Sequence, residues 1–260
     1  MPDLTGGSPP SSDRFDTLFD CFVINLKRQP ERLQAFLARN RSSGIHFHHF
    51  EAIDGAQCSA ADIVDGQIVA RGAVNYTPGA IGLAMSHLAL WRRCAEQGKH
   101  LVVFEDDAVV RNDIKERLSA LAGQGDEWDF ILLGYNTDAV LELNIAPGID
   151  LGGVFSVGYP TAKHLADFAQ SSNPVALQPL IIAMGTCGYA VAPKGAECLI
   201  RGCFPMDNRP VKLRAVNHTF PAYGIDCMMT SVYQTMRAFA CVAPLVMTPN
   251  DRKTSTVQRA

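Results

Sequence analysis

The chain has 260 residues, of which 47% are hydrophobic and 19% charged, and a formal net charge of −3. It can therefore bury a sizeable core as one large domain or two small ones. The slight negative balance, without a long run of like charge, gives no general attraction to nucleic acid or anionic lipid. Eight cysteines (21, 58, 94, 187, 198, 203, 227 and 241) show no C-x-x-C pair and no framework spacing. They read as buried reduced thiols of a cytosolic protein.

The first 19 residues, rich in Gly, Ser and Pro, offer little to bury and are expected to be a disordered leader. They lack the basic-then-apolar order of a signal peptide. No stretch approaches the roughly 20 apolar residues of a membrane helix. Residues 20–260 are then expected to form a single domain.

Cys21-Phe-Val-Ile-Asn25 reads as a buried strand, and Pro30 to Arg39 as a helix with proline in its first turn. His46-Phe-His-His-Phe50 reads as a second strand and Ile53-Asp54-Gly55 as a turn. Strand alternation divides His46, His48 and His49 between two faces, which argues against a zinc site there. Thr77-Pro78 caps a helix in which Ile81, Ala84, Leu88 and Trp91 recur at helical spacing up to Gly98.

Leu101 to Phe104 follows as an apolar strand that stops on Glu105-Asp106-Asp107. Unpaired buried carboxylates cost several kcal/mol each, so three together belong at a solvent-facing strand end, where a cation can hold them. Alternation would put 105 and 107 on one side and 106 on the other.

Asp113 to Ala122 reads as a helix and Phe130 to Leu133 as a strand. Residues 137–185 are ambiguous, with a hairpin expected over 152–159. Thr186 to Val191 reads as a strand, Lys194 to Ile200 as a helix, 202–224 as loop, Asp226 to Met236 as a helix and Phe239 to Val246 as extended. Alternating β and α elements predict an α/β sheet, with ligands bound outside the carboxyl ends of its strands.

The order of these blocks resembles glycosyltransferase family 25, the lipooligosaccharide and collagen galactosyltransferase-like enzymes. Val23-Ile-Asn-Leu-Lys-Arg28 with Arg32 is similar to the family's opening block, and Ala52-Ile-Asp-Gly55 to its I-D-G turn. Gly79 to Trp91 is similar to its G-x-x-G-x-x-x-S-H-x-x-x-W helix, Phe104 to Ala108 to its E-D-D segment, and Gly188-Tyr189 with Gly195-Ala196 to its G-Y block. The resemblance covers about residues 21–257. Leu83 stands where the family often has cysteine, and the stretch 203–223 departs most, so acceptor specificity transfers least.

The resemblance implies a glycosyltransferase-A-like, Rossmann-type nucleotide-sugar-binding sheet flanked by helices. It implies transfer of a hexose, galactose from UDP-galactose, with inversion, to a hydroxyl of a glycan or glycolipid in lipooligosaccharide or surface-polysaccharide synthesis. The expected location is the cytoplasm, with a peripheral contact at the inner membrane face for a lipid-linked acceptor. A diphosphate leaving group calls for a divalent cation, and oxygen ligands suit Mn²⁺ or Mg²⁺. Asp107 is the foremost expected metal ligand, with Glu105 beside it and Asp106 near metal waters or ribose.

Asp226 is expected to take the acceptor proton, although an aspartate at that place also serves as a helix cap. Asp207 is the competing carboxylate, and His218 a candidate late metal ligand. Donor-side roles are expected for Asn25, Arg28, Arg32, Asp54, Ser86, His87, Gly188 and Tyr189. Ordinary alternatives stand beside several: salt bridges for the arginines, a turn for Asp54, a packed structural residue for His87. Two other functional classes remain open, another divalent-metal phosphate enzyme and a non-catalytic sugar-nucleotide or glycan-binding protein.

Overall fold

The computed structural model describes residues 12–74, 76–122 and 128–251. In chain order the elements are α1 (Ser12–Leu18), β1 (Phe19–Asn25), α2 (Pro30–Arg39), β2 (His48–Glu51), α3 (Ala60–Val64), α4 (Pro78–Gln97), β3 (His100–Glu105), β4 (Val109–Val110) and α5 (Ile114–Ala122). There follow β5 (Phe130–Gly134), β6 (Val140–Ala146), β7 (Ile149–Val154), α6 (Ala162–Ala169), β8 (Ala176–Ile182), β9 (Gly188–Val191), α7 (Pro193–Cys203), β10 (Pro210–Leu213), β11 (His218–Pro221), α8 (Ile225–Thr230), β12 (Ala238–Val242) and β13 (Val246–Met247).

Nine strands make one mixed sheet in the order β2-β1-β3-β9-β5-β12-β8-β6-β7. The β2-β1-β3 segment is parallel, and β9 runs antiparallel between β3 and β5. Both faces are covered. Phe22, Ile24, Leu101 and Val103 join a core with Leu88 and Trp91 of α4 and Leu199 of α7. The alternate residues Cys21, Val23, Val102 and Phe104 pack with Phe15 of α1, Phe36 of α2, and Ile114 and Leu118 of α5. Burial on both faces is why these strands read as unbroken apolar runs, and it is the α/β arrangement the alternating elements predict.

Several boundaries differ from expectation. Residues 12–18, expected within a leader, form α1 and bury Phe15, because Phe15 and Leu18 lie on one helical side against the sheet. Residues 1–11 lie outside the described residues, as does the stretch 252–257 of the resemblance. The hairpin expected over 152–159 is instead β6 and β7, turning at Gly148 with a φ of +75°. Residues 202–224, read as loop, contain the antiparallel pair β10 and β11. The helix expected from Asp226 to Met236 breaks after Thr230 and resumes as one short turn at Tyr233–Thr235. All eight cysteines are unpaired, and six are buried.

Two glycines bring the N-terminus of α4 against the turn after β2. A Cβ on Gly55 would lie 1.9 Å from the Pro78 carbonyl oxygen, and one on Gly82 would lie 2.3 Å from that of Ile53. Only bare backbone permits this approach. Ser86, one helical turn beyond Gly82, completes the joint: its Oγ donates to the Gly82 carbonyl at 2.8 Å and accepts from the Ile53 amide at 2.9 Å.

Candidate active site

A cleft of about 710 Å³ opens at the carboxyl ends of β1 and β3. Asn25, Arg28 and Arg32 line one wall, and the joint of Asp54 with Pro78 to Ala80 lines another. Glu105, Asp106 and Asp107 form its floor, facing Thr186, Asp226 and Thr248. Sequence-distant carboxylates thus meet in one cavity outside the strand ends, where α/β sheets bind ligands.

The three consecutive acids have three different partners. Strand β3 ends at Glu105, and Asp106 and Asp107 lie in the turn that follows, so the expected alternation does not extend past 105. All three line the cleft. Glu105 accepts a hydrogen bond from Thr186 Oγ1. Asp106 is buried and accepts from Asn25 Nδ2 at 2.7 Å and Arg32 Nε at 2.8 Å. Asp107 accepts from Thr248 Oγ1 at 2.9 Å through Oδ2, while its Oδ1 is buried with no partner.

These partners tie Asn25, Arg32 and Asp106 to one another while all three line the cleft. The Asn25 amide donates to Asp106 and to the Gln29 carbonyl, so it fastens β1 to the acidic turn rather than standing free for a base. Arg32 likewise spends its guanidinium on Asp106, which holds the arginine even more firmly protonated. With both groups on it, Asp106 anchors β1 and α2 to the acidic turn. Arg28 pairs with Asp54, Nε to Oδ2 at 2.9 Å, and this draws the Asp54 carboxyl below its usual range. Asp54 also accepts from the Ala56 amide, forming the turn that local chemistry favours.

Burial and the neighbouring Asp107 push Glu105 up to about 8, against the lowering effect of its bond from Thr186. Burial also raises Asp107. Such a floor is short of positive charge. Among the described residues no three His, Cys, Asp or Glu side chains converge tightly enough to enclose an ion. The unpartnered Asp107 Oδ1 nonetheless fits a hard cation that draws its remaining oxygens from a ligand, the usual arrangement for Mg²⁺ with phosphates.

Asp226 lies in the first turn of α8. Its Oδ1 accepts from the Cys227 amide at 2.8 Å and its Oδ2 from the Gly185 amide at 3.0 Å. Gly185 has a φ of +90°, and a Cβ there would meet Asn136 Oδ1 at 2.3 Å. One short segment before β9 therefore serves two acids, with Gly185 on Asp226 and Thr186 on Glu105. Asp207 is not at the cleft; Arg209 Nε donates to it at 2.7 Å and holds its carboxyl below the usual range.

Ser86, His87, Gly188 and Tyr189 are buried and do not line the cleft, contrary to the donor contacts expected of them. His87 Nδ1 lies 2.8 Å from the Tyr189 hydroxyl, which also accepts from Trp91 Nε1 at 2.8 Å. Burial lowers His87 to about 3, so it is a neutral core residue joining α4 to β9. Gly188 has another use. Side chains on it or on Gly134 would run into Val246, and their absence lets β13 cross the sheet end and bring Thr248 to Asp107.

His46 and His48 contact edge-on with centroids 4.8 Å apart, and His49 Nε2 lies 3.3 Å from the Asn25 carbonyl oxygen. His218 stacks on Phe220 of β11, away from the acids. Sequence reasoning missed Gly185, Thr186, Thr248 and Asn250. The signals were small: Gly-Thr immediately before a strand, and Thr-Pro-Asn-Asp immediately after one.

The fold and cleft define an α/β domain with carboxylates gathered at the ends of parallel strands. The family model for glycosyltransferase family 25 (LPS biosynthesis protein) matches residues 19–208, and the chain belongs to this family. It is 27% identical over 66% of its length to the human inactive glycosyltransferase 25 family member 3, covering 30% of that protein. With a glycosyltransferase 25 family member of Drosophila pseudoobscura pseudoobscura it shares 32% identity over 45% of its length and 21% of the relative's. The chain thus spans about a third or less of the curated relatives it matches. The solved mannose-1-phosphate geranyltransferase of Thermus thermophilus aligns over 85% of this chain and 73% of its own, at 16% identity and a TM-score of 0.37.

Proposed function

We propose that the protein is a metal-dependent hexosyltransferase that moves galactose from UDP-galactose to a hydroxyl of a glycan or glycolipid acceptor. The reaction is a single displacement with inversion, serving lipooligosaccharide or surface-polysaccharide synthesis. The observation that carries this reading is the shared cleft, in which an unpartnered Asp107 oxygen and the carboxylate of Asp226 face one cavity. Family membership supplies the reaction class.

Bound Mn²⁺ or Mg²⁺ would stabilise the charge growing on the departing diphosphate. Asp107 would hold that cation, with Glu105 beside it and Thr186 fixing the Glu105 carboxyl. Asp226, immobilised by two backbone amides, retains lone pairs for the proton of the attacking hydroxyl. Oxygen attack on the anomeric carbon forms the β-glycoside as the bond to the diphosphate breaks.

A non-catalytic sugar-nucleotide or glycan-binding role is the second reading. It is favoured by the name of the human relative and by the commitment of Asn25, Arg32 and Asp106 to one another. Turnover of UDP-galactose against a panel of glycan acceptors separates the two. Transfer in Mn²⁺ that falls about a hundredfold or more in Asp226→Asn, with donor binding kept, supports the transferase. Donor binding with no transfer to any acceptor supports the second reading.

A further inference from the structure

Among the described residues, a row of three aromatic rings leaves the cleft on the Asp226 side. The centroids of His218 and Phe220 lie 5.7 Å apart with planes 27° from parallel, and those of Phe220 and Tyr223 lie 5.6 Å apart at 37°. His218 and Phe220 sit at alternate positions of β11 and so share a face. Phe220 is half-buried against the main core, whereas His218 is exposed and Tyr223 is 44% exposed. Tyr223 lines the cleft together with Asp226.

The row stands on an anchored hairpin. Glu142, buried on β6, accepts from the Ala215 amide at 2.8 Å. The Asn208 amide donates to the carbonyls of Val74 at 2.6 Å and Ala222 at 3.2 Å. Between Tyr223 and Asp226, a Cβ on Gly224 would come within 2.7 Å of Asp226 Oδ1. Glycine there leaves room for the Asp226 carboxylate.

We propose that His218, Phe220 and Tyr223 form a ladder that binds the pyranose rings of a glycan acceptor and leads the attacking sugar to Asp226. The proposal rests on the transferase reading, because that reading places the acceptor hydroxyl at Asp226. The chemistry fits a sugar. A pyranose presents weakly positive C–H groups on one face, which suit the negative face of an aromatic ring, and keeps its hydroxyls at the edge in water. An acyl chain would be better served by a continuous aliphatic surface than by a row whose outer rings, His218 and Tyr223, stand exposed to solvent. The ladder lies beyond residue 208, where the match to the family model ends.

The test is saturation-transfer NMR of methyl β-lactoside and octyl β-glucoside with the full chain in Mn²⁺ and UDP, with UDP binding measured calorimetrically on the same samples. Tyr223→Ala, Tyr223→Phe and His218→Ala are compared after melting curves establish that each folds. The expected result is saturation of ring C–H protons that falls about fivefold to tenfold in Tyr223→Ala, the loss typical of an aromatic anchor. It falls less in His218→Ala and is kept in Tyr223→Phe. Ring saturation absent from the wild type, unchanged in Tyr223→Ala, or replaced by saturation confined to the octyl chain overturns the ladder. A wild-type protein that does not bind UDP overturns the transferase reading itself, whereas UDP binding without a Tyr223-dependent ring signal overturns only the ladder.

Discussion

Thr248 donates its hydroxyl to Asp107 Oδ2 at 2.9 Å, across 141 positions of the chain. The same Oγ1 accepts from the Asn250 amide at 3.1 Å, so a turn near the end of the described chain fixes which Asp107 oxygen faces away from protein partners. Asp107 Oδ1 is that oxygen. Groups that orient a metal ligand typically carry about 10- to 100-fold in metal affinity. Thr248→Val is therefore expected to weaken Mn²⁺ binding about tenfold in a titration followed by electron paramagnetic resonance, and Thr248→Ser to restore most of it. Equal affinity in the valine variant would remove the positioning role.

The two arginine pairs at the cleft predict opposite stability effects. Arg32 serves a buried Asp106, and removing it leaves a desolvated carboxylate held by the neutral Asn25 amide without its cation, whereas the Arg28 side chain is 55% exposed and screened in its pair with Asp54. Arg32→Ala is expected to cost about 3 kcal/mol, and Arg28→Ala less than about 1 kcal/mol. Chemical denaturation of both variants checks the order. Equal losses would mean that Asp106 finds solvent or another partner.

Gly82→Ala should be among the most damaging small substitutions in the chain. The added carbon would sit 2.3 Å from the Ile53 carbonyl oxygen and 2.5 Å from the Gly55 nitrogen, both backbone atoms. A loss of about 3 kcal/mol or more is expected, compared with the roughly 1 kcal/mol gain that Gly→Ala gives in an unobstructed helix. A variant as stable as the parent would show that the joint between the turn and α4 can open without cost.

His87 sets an acid limit on stability. Its folded pKa is depressed to about 3 by burial, below the usual value near 6.5, so the unfolded chain binds a proton there first as pH falls. The contribution of neutral His87 is complete above about pH 6.5 and is lost progressively toward pH 3, by about 2 kcal/mol at pH 5. Melting temperatures of the wild type and His87→Gln between pH 7.5 and 5 should converge as pH falls. Parallel curves would assign the acid sensitivity elsewhere.

Much of the parallel half of the fold was legible because its signals are local. Pro30 in a first turn, the Thr77-Pro78 cap and the apolar runs of β1 and β3 each marked their element. The acidic triplet marked the strand end. The β6-β7-β8 segment was not legible: β6 carries a buried Glu142 that breaks its apolar pattern, and β7 is largely exposed, so neither shows the expected period. The partners of the candidate site residues were hidden for a related reason. Side chains that look reactive in sequence, such as His87 through its Nδ1, Tyr189 and Arg32, engage partners tens of positions away, and spacing along the chain does not reveal such pairings.

Calorimetric titration of UDP-galactose into the wild-type protein and Asp107→Ala, each in Mn²⁺ and in EDTA, tests the central claim most directly. Binding to the wild type in Mn²⁺ that is lost in EDTA and sharply weakened in Asp107→Ala is the predicted result. Absence of binding in Mn²⁺, or binding indifferent to both EDTA and the substitution, would contradict a metal-assisted nucleotide-sugar site at the acidic floor.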